Sequence, residues 1–380
     1  MIEIFKAAIQ RGASDIHIKS GDVVRARING RLTPLSQQKL STDQVKALAS
    51  RLIPHESDRE RLDRLLDYDC SWGLPGVGRF RVNILRQRGS FGVVLRIIPI
   101  DVPTIDDLKL PDVLKDIADH ERGLILVTGV TGSGKSSTQA AMIDWINEHK
   151  SLHVVTLENP IEFLHRDKKA SITQRDIGTD TESFAVGMRA ALRQDPDVIL
   201  IGEMRDNETI DTALKAAETG HLVISTVHTK NAVQTISRLV AVFEPAEQEL
   251  IRVRLSESLQ AVVSQRLIPT ADGKGRVAAV EIMRATGTIR DCVKDPKRLD
   301  EIFDLVENGR EQYGTQSFDQ HLMDLVRTGT VTFEVAKAAA NNPTDFDLKM
   351  NTFGSGSRSA HTQQMGQDMA NEMNSLFGNG

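Results

Sequence analysis

Gly129-Val130-Thr131-Gly132-Ser133-Gly134-Lys135-Ser136 is a glycine, four residues, then Gly-Lys-Ser. Before it runs the apolar, β-rich Leu124-Ile125-Leu126-Val127-Thr128; after it Ser137 to Ile146 reads as an amphipathic helix. Strand, glycine loop and helix in this order make a phosphate-binding P-loop. Glycines let backbone fold round an anion without Cβ clashes, and successive N–H groups at the helix N-terminus then face the phosphates. The expected binding set is Gly129, Val130, Thr131, Gly132, Ser133, Gly134, Lys135, Ser136 and the adjoining Ser137. Lys135 reaches the β/γ-phosphates, and the Ser136 hydroxyl holds Mg²⁺, so the expected ligands are ATP and Mg²⁺.

A chain of 380 residues has room for two domains. A formal net charge of −5 gives no bulk electrostatic case for nucleic acid. The two cysteines, Cys70 and Cys292, are too far apart for a CxxC zinc site and suggest no disulfide framework, which fits a reducing cytosol. No apolar run reaches the ~18–20 residues of a membrane span, and Met1 to Lys6 mixes acid and base where a signal peptide is apolar. Any work at a membrane is expected to pass through a partner.

Upstream of the loop the pattern is different. Residues 1–100 read as a small α+β domain: helix 2–9, strands 15–19 and 23–28 with an Asn29-Gly30 turn, helices 42–53 and 55–66, then strands 68–72, 78–85 and 91–98. Pro99 and Pro103 suit a linker, taken as 101–112. Residues 113–350 alternate strands (124–128, 153–157, 198–201, 222–227) with helices, the signature of a mostly parallel sheet covered on both faces, and become mainly helical after 245, with one β-like pair at 261–267 and 276–282. Residues 351–380 are rich in Gly, Ser, Gln, Asn and Met and read as a disordered tail, with Met365, Met369, Met373 and Leu376 spaced to form a helix on a partner as the other reading.

A P-loop needs acids. Asp195 to Ile201 reads as an apolar strand beside the P-loop strand, and Glu203 follows it as the candidate general base. Gly202 stands where many P-loop ATPases have Asp. Glu158, after strand 153–157, is a candidate to organise water or metal; Glu162 is equally a solvated loop charge. His221 and His228 bracket strand 222–227 at a spacing unsuited to one metal, where a lone histidine is more often structural. Arg79, Arg81, Arg86, Arg88 and Arg96 read either as a solvated face or as a phosphate-directed cluster, with Arg79 and Arg81 sharing a strand face, as do Arg86 and Arg88.

These motifs, in order, resemble the secretion-ATPase superfamily and specifically its pilus-retraction branch, PilT and PilU. The resemblance rests on the Walker A loop 129–136, the acidic box Thr156-Leu157-Glu158-Asn159-Pro160-Ile161-Glu162-Phe163, the atypical Walker B 195–205 with Gly202-Glu203, and the His box 218–229 with His221 and His228. It implies an α/β fold in which a PAS-like N-terminal domain precedes a RecA-like ATPase domain. It also implies a homohexamer, catalysis by Lys135, Glu203, Glu158 and His228, and Mg²⁺ on Ser136 and Glu158. Nucleotide would be approached by small-domain arginines, here Arg79, Arg81 and Arg96. The expected function is ATP-driven type IV pilus retraction, through an inner-membrane platform protein of PilC type and beside a paralogous retraction ATPase, from the cytoplasmic face of the bacterial inner membrane. Asn159 stands where the acidic box carries Asp, Thr288-Ile289-Arg290-Asp291-Cys292-Val293 departs from the branch's Ala-Ile-Arg-Asn-Leu-Ile, and the tail is long for a PilT. These departures favour a PilU-like accessory or a slow nucleotide-dependent scaffold as the alternative to a motor; a small-molecule P-loop kinase is a third reading.

Overall fold

The computed structural model describes residues 1–28, 30–99 and 101–351. Asn29 of the turn, Ile100 of the linker and the tail from 352, with its methionines, lie outside the described residues. The first strands are β1 (Ala13–Lys19), β2 (Val23–Ile28), β3 (Arg31–Lys39), β4 (Asp67–Leu74), β5 (Gly78–Gln87) and β6 (Ser90–Ile98). They form an antiparallel sheet in the order β3-β2-β1-β6-β5-β4. Alternation puts Ile16, Ile18, Val24, Phe80, Val82, Val93 and Leu95 inside, under the helices Ile2–Gln10 and Thr42–Leu52. Phe5 closes edge-on against Trp72 at 5.8 Å between ring centroids. A Ser41–Gln44 capping box starts the second helix.

Three local expectations change. Strand β3 forms where the sequence reading placed no strand; it carries Pro34, which an edge strand tolerates and an interior strand does not. The helix expected over 55–66 is a short helix Glu56–Glu60 and a 3₁₀ turn Leu62–Arg64: none of residues 56–60 is buried, so nothing holds a longer helix to the core until Leu62. β5 ends at Gln87 and Arg88 sits in the turn with φ 49°, so Arg86 and Arg88 do not share a strand face.

The second sheet contains β7 (Gly123–Thr128), β8 (His153–Glu158), β9 (Ser171–Asp176), β10 (Val198–Ile201), β11 (Leu222–Val227), β12 (Leu259–Pro269) and β13 (Arg276–Arg284). Its order is β13-β12-β7-β11-β10-β8-β9, parallel throughout except for β13 against β12. Every residue of β7, β10 and β11 is buried, as a sheet covered on both faces requires. One face packs with helix Lys135–His149, the other with helices Asn207–Glu218, Ala232–Ala241 and Gln248–Ser258. The β-like pair at 261–267 and 276–282 extends this sheet. Strand β10 is not beside β7 as expected: β11 lies between them. Ile105 and Leu110, in the stretch expected to be a linker, are buried in the core cluster of this sheet. Among the described residues no helix is long and apolar enough to cross a membrane, no acid, His and Cys cluster suits a metal, and Cys70 and Cys292 are free thiols.

Candidate functional site

Strand β7 delivers the chain into the loop, and the loop is tight. Gly129 has φ 146°, and a Cβ there would come within 2.4 Å of Ser133 Oγ and 2.5 Å of the Gln265 carbonyl. Gly134 has φ 91° and caps helix Lys135–His149; any side chain at either position is strained. Gln265 of β12 supports the loop by donating to the Ser133 carbonyl at 2.7 Å. Sequence reasoning missed Gln265, whose pattern is that of an ordinary strand residue. Lys135 is the first residue of the helix. Its ammonium donates to the carbonyls of Gly129 (3.0 Å) and Val130 (3.1 Å). Burial draws its pKa below the usual lysine value, against the pull of Glu162 and Glu203.

The acids arrive from the carboxyl ends of β8 and β10. Gly202 follows β10 where the backbone passes close to β8: its N–H donates to the Leu157 carbonyl at 2.8 Å, and a Cβ would stand 3.3 Å from that oxygen. A side chain there would have to press this contact apart by a few tenths of an ångström, so the position favours glycine. Glu203 points past it into the cavity, with Arg205 Nη2 2.7 Å and His228 Nε2 3.6 Å from its Oε2. Arg205 closes the 195–205 motif, and its position two residues after Glu203 is the one sequence signal for it. Burial and the Lys135 charge hold the His228 pKa below the usual histidine value, so its imidazole is neutral at pH 7. Glu158 is buried. Thr156 (2.7 Å) and Gln174 (3.1 Å) both donate to its Oε1, and burial raises its pKa.

One cavity of about 340 Å³ brings together Thr131, Gly132, Lys135, Ser136, Glu158, Glu162, Glu203, His228 and Arg81. That volume is within the usual range for small-molecule sites, about 300–1,000 Å³. Asn159 also lines it. Val130 is exposed beside it, while Ser137 faces a separate cavity with Gln265 and Leu267. Arg79 reaches across to Asp176 at the end of β9 (2.7 Å). Arg96 pairs with Asp15 (2.9 Å) and does not line the cavity; Arg86 stacks on Phe91. His221 lies at the opposite end of β11 from His228, its Nδ1 3.0 Å from the Ala216 carbonyl, and takes no part in the site.

The donor set fits a nucleoside triphosphate with Mg²⁺. A glycine cradle that no Cβ can enter opens onto a helix N-terminus, one ammonium stands at its mouth, and hydroxyl and carboxylate oxygens suit a hard cation.

A family model described as "Type II/IV secretion system protein" matches residues 1–344. The chain belongs to this family. Among its secretion-system relatives, the Pseudomonas aeruginosa protein named type IV pilus retraction ATPase PilT is 43% identical over 90% of this chain and 99% of its own. The Pseudomonas aeruginosa type IV pilus ATPase PilU is 37% identical over 373 residues, 98% of this chain and 96% of its own. A crystal structure of the pilus retraction motor PilT with bound ADP superposes with a TM-score of 0.82 at 44% identity, covering 91% of this chain and 98% of that one. This secretion-family protein is therefore a nucleotide-binding ATPase of the pilus-retraction type. Its two sheets are those of that family's fold, a RecA-like ATPase part behind a smaller N-terminal part.

Proposed function

We propose that the chain hydrolyses ATP at the 340 Å³ cavity and converts the reaction into relative motion of its N-terminal part (1–100) and its ATPase part (113–350). The observation that carries this reading is the convergence of Lys135, Glu203 and His228 on one cavity at a helix N-terminus. The loop amides and Lys135 hold the phosphates. Glu203 takes a proton from water as its oxygen bonds to the γ-phosphorus, and the bond to the β-bridging oxygen breaks. His228, neutral and beside Glu203, donates to or senses the γ-phosphate. Ser136 and Glu158 would hold Mg²⁺, which neutralises phosphate charge when bound. Arg81, already at the cavity, closes over the nucleotide. Arg79, through Asp176, sets where the small sheet stands, and the exposed Arg96 is offered to a neighbouring subunit. The working form is a homohexamer at the inner face of the bacterial inner membrane. It drives a platform protein of PilC type to extract pilin.

Turnover by the purified chain tests this. Lys135→Ala is expected to lose about 10²-fold or more in kcat/KM. Glu203→Gln is expected to bind ATP and hydrolyse it about 10²–10⁴-fold more slowly. Wild-type turnover no faster than either variant favours a scaffold. A PilU-like accessory role is the second reading. The observation that favours it is that the match to PilU, at 98% of the chain, runs into the last thirty residues, whereas the match to PilT covers 90%. Longer or more numerous pili in cells lacking the protein mean retraction; bald cells mean extension; unchanged pili while another retraction ATPase is present mean the accessory role.

A further inference from the structure

Three adjacent strands carry a polar row through an apolar core. Thr128 of β7 is in register with Ser264 of β12, and Ser264 with Glu281 of β13. All three are buried, at 0%, 0% and 3% exposure, on the sheet face whose other residues are Leu124, Leu126, Val262 and Met283. Thr128 Oγ1 donates to Ser264 Oγ at 2.9 Å, and Ser264 stands directly opposite Glu281 in the β12–β13 register. Glu281 Oε1 in turn accepts the Ala232 N–H at 2.8 Å. A valine or leucine row would fill this face without taking a carboxyl out of water, which folding alone disfavours.

Both ends of the row lead to the site. Thr128 immediately precedes Gly129. Ala232 is the first residue of helix Ala232–Ala241, four residues beyond His228, and its N–H is one of the orphan donors of a helix start. The intervening chain is tied to that helix: Thr229 Oγ1 lies 2.7 Å from Thr235 Oγ1, and Asn231 caps Gln234 at 2.8 Å. A carboxylate at this helix start also faces the positive end of the helix dipole.

We propose that Glu281 is a positioning residue for hydrolysis: through Ser264 and Ala232 it fixes the His228 loop against the P-loop strand. The proposal rests on the ATPase reading above. Glu281 touches neither nucleotide nor water and acts by holding His228 where Glu203 and the γ-phosphate meet.

The test is single-turnover ATP hydrolysis, with fluorescent-ADP affinity and Tm, on the full chain and on Glu281→Gln, Ser264→Ala, His228→Ala and the double variant Glu281→Gln/His228→Ala. Glu281→Gln is expected to lower the rate about tenfold while ADP affinity stays within about twofold, as for other residues that orient a reacting group. In the His228→Ala background the same change is expected to cost nothing further, because the group it positions is gone. Ser264→Ala keeps the carboxylate and its bond to Ala232 and removes the hydroxyl that stands between Glu281 and Thr128. It is expected to slow hydrolysis with the same dependence on His228, and it carries the test should Glu281→Gln fail to fold. A wild-type rate in either folded variant, rate losses that multiply with His228→Ala, or ADP affinity falling in step with rate would overturn the proposal. Wild-type protein that neither binds nor cleaves ATP would instead overturn the ATPase reading itself.

Discussion

Glu281 also makes a claim on stability. Its carboxyl ionises near 4.5 in the open chain and, through burial, is pushed up to about 7 in the fold, with the Arg266 charge opposing and Asp319 assisting. Between those values the folded chain keeps a proton that the unfolded chain has lost, so stability falls as pH rises through this window and levels off above it. Glu281→Gln has no such proton. Its Tm relative to wild type is therefore expected to increase by a few °C between about pH 5 and about pH 8; a difference that stays constant with pH would show that the carboxyl ionises normally. Single residues were legible where chemistry leaves a spacing in the sequence. Lys135 and Ser136 are fixed by the loop template, and Glu203 by its place at a strand end. Glu281 was not legible: in Val280-Glu281-Ile282-Met283 it looks like an ordinary outward residue of an edge strand, and only the fold shows the Ala232 N–H that it meets.

At the scale of elements, two arginines of the small sheet separate two kinds of ion pair. Arg79 of β5 meets Asp176 at the end of β9, whose side chain is 3% exposed, so the pair joins the two sheets in a dry setting. Removing the cation from a buried carboxylate is costly, and Arg79→Ala is expected to destabilise by about 3 kcal/mol, with faster amide exchange in β5 and β9. Arg96, whose side chain is 68% exposed, holds Asp15 within its own sheet, where the buried Asp15 carboxylate keeps Ser14 (2.8 Å) and Arg27 (3.9 Å) as further partners. Arg96→Ala is expected to cost under about 1 kcal/mol and to leave β9 exchange unchanged. Equal effects of the two would mean that the junction carries no special share of stability. The strands of both sheets were readable from alternation or from apolar runs wherever a face is buried. β3 and β9 were not, because these two edge strands have few inward residues: β3 has none fully buried, and Ser171 to Asp176 is mostly polar. The same physics explains the broken helix over 55–66, which lacks an apolar stripe.

For the whole molecule, the alternation of strands and helices announces a covered parallel sheet, but strand order is a long-range property that no local pattern encodes. β11 inserts between β7 and β10, and β6 returns to pair with β1, and these pairings place the strands' apolar residues in the cores of their two sheets. The order matters for function: it brings the ends of β7, β8, β10 and β11 to one side, where Lys135, Glu158, Glu203 and His228 share a cavity. That cavity contains only one arginine of the small sheet, Arg81, while Arg96 stands exposed. A phosphoryl-transfer site completed by a neighbour's arginine works only in the assembled state, since such a group can supply a large part of the rate. Turnover per chain is then expected to rise steeply with protein concentration and level off as a species of six times the 42.0 kDa chain mass accumulates in native mass spectra. In the assembled form, Arg96→Ala is expected to lower kcat about tenfold or more without loss of the hexamer. Specific activity independent of concentration, in a monomer that turns over at full rate, would mean that each chain carries a complete site, and the exposed arginine would then be only a solvated charge.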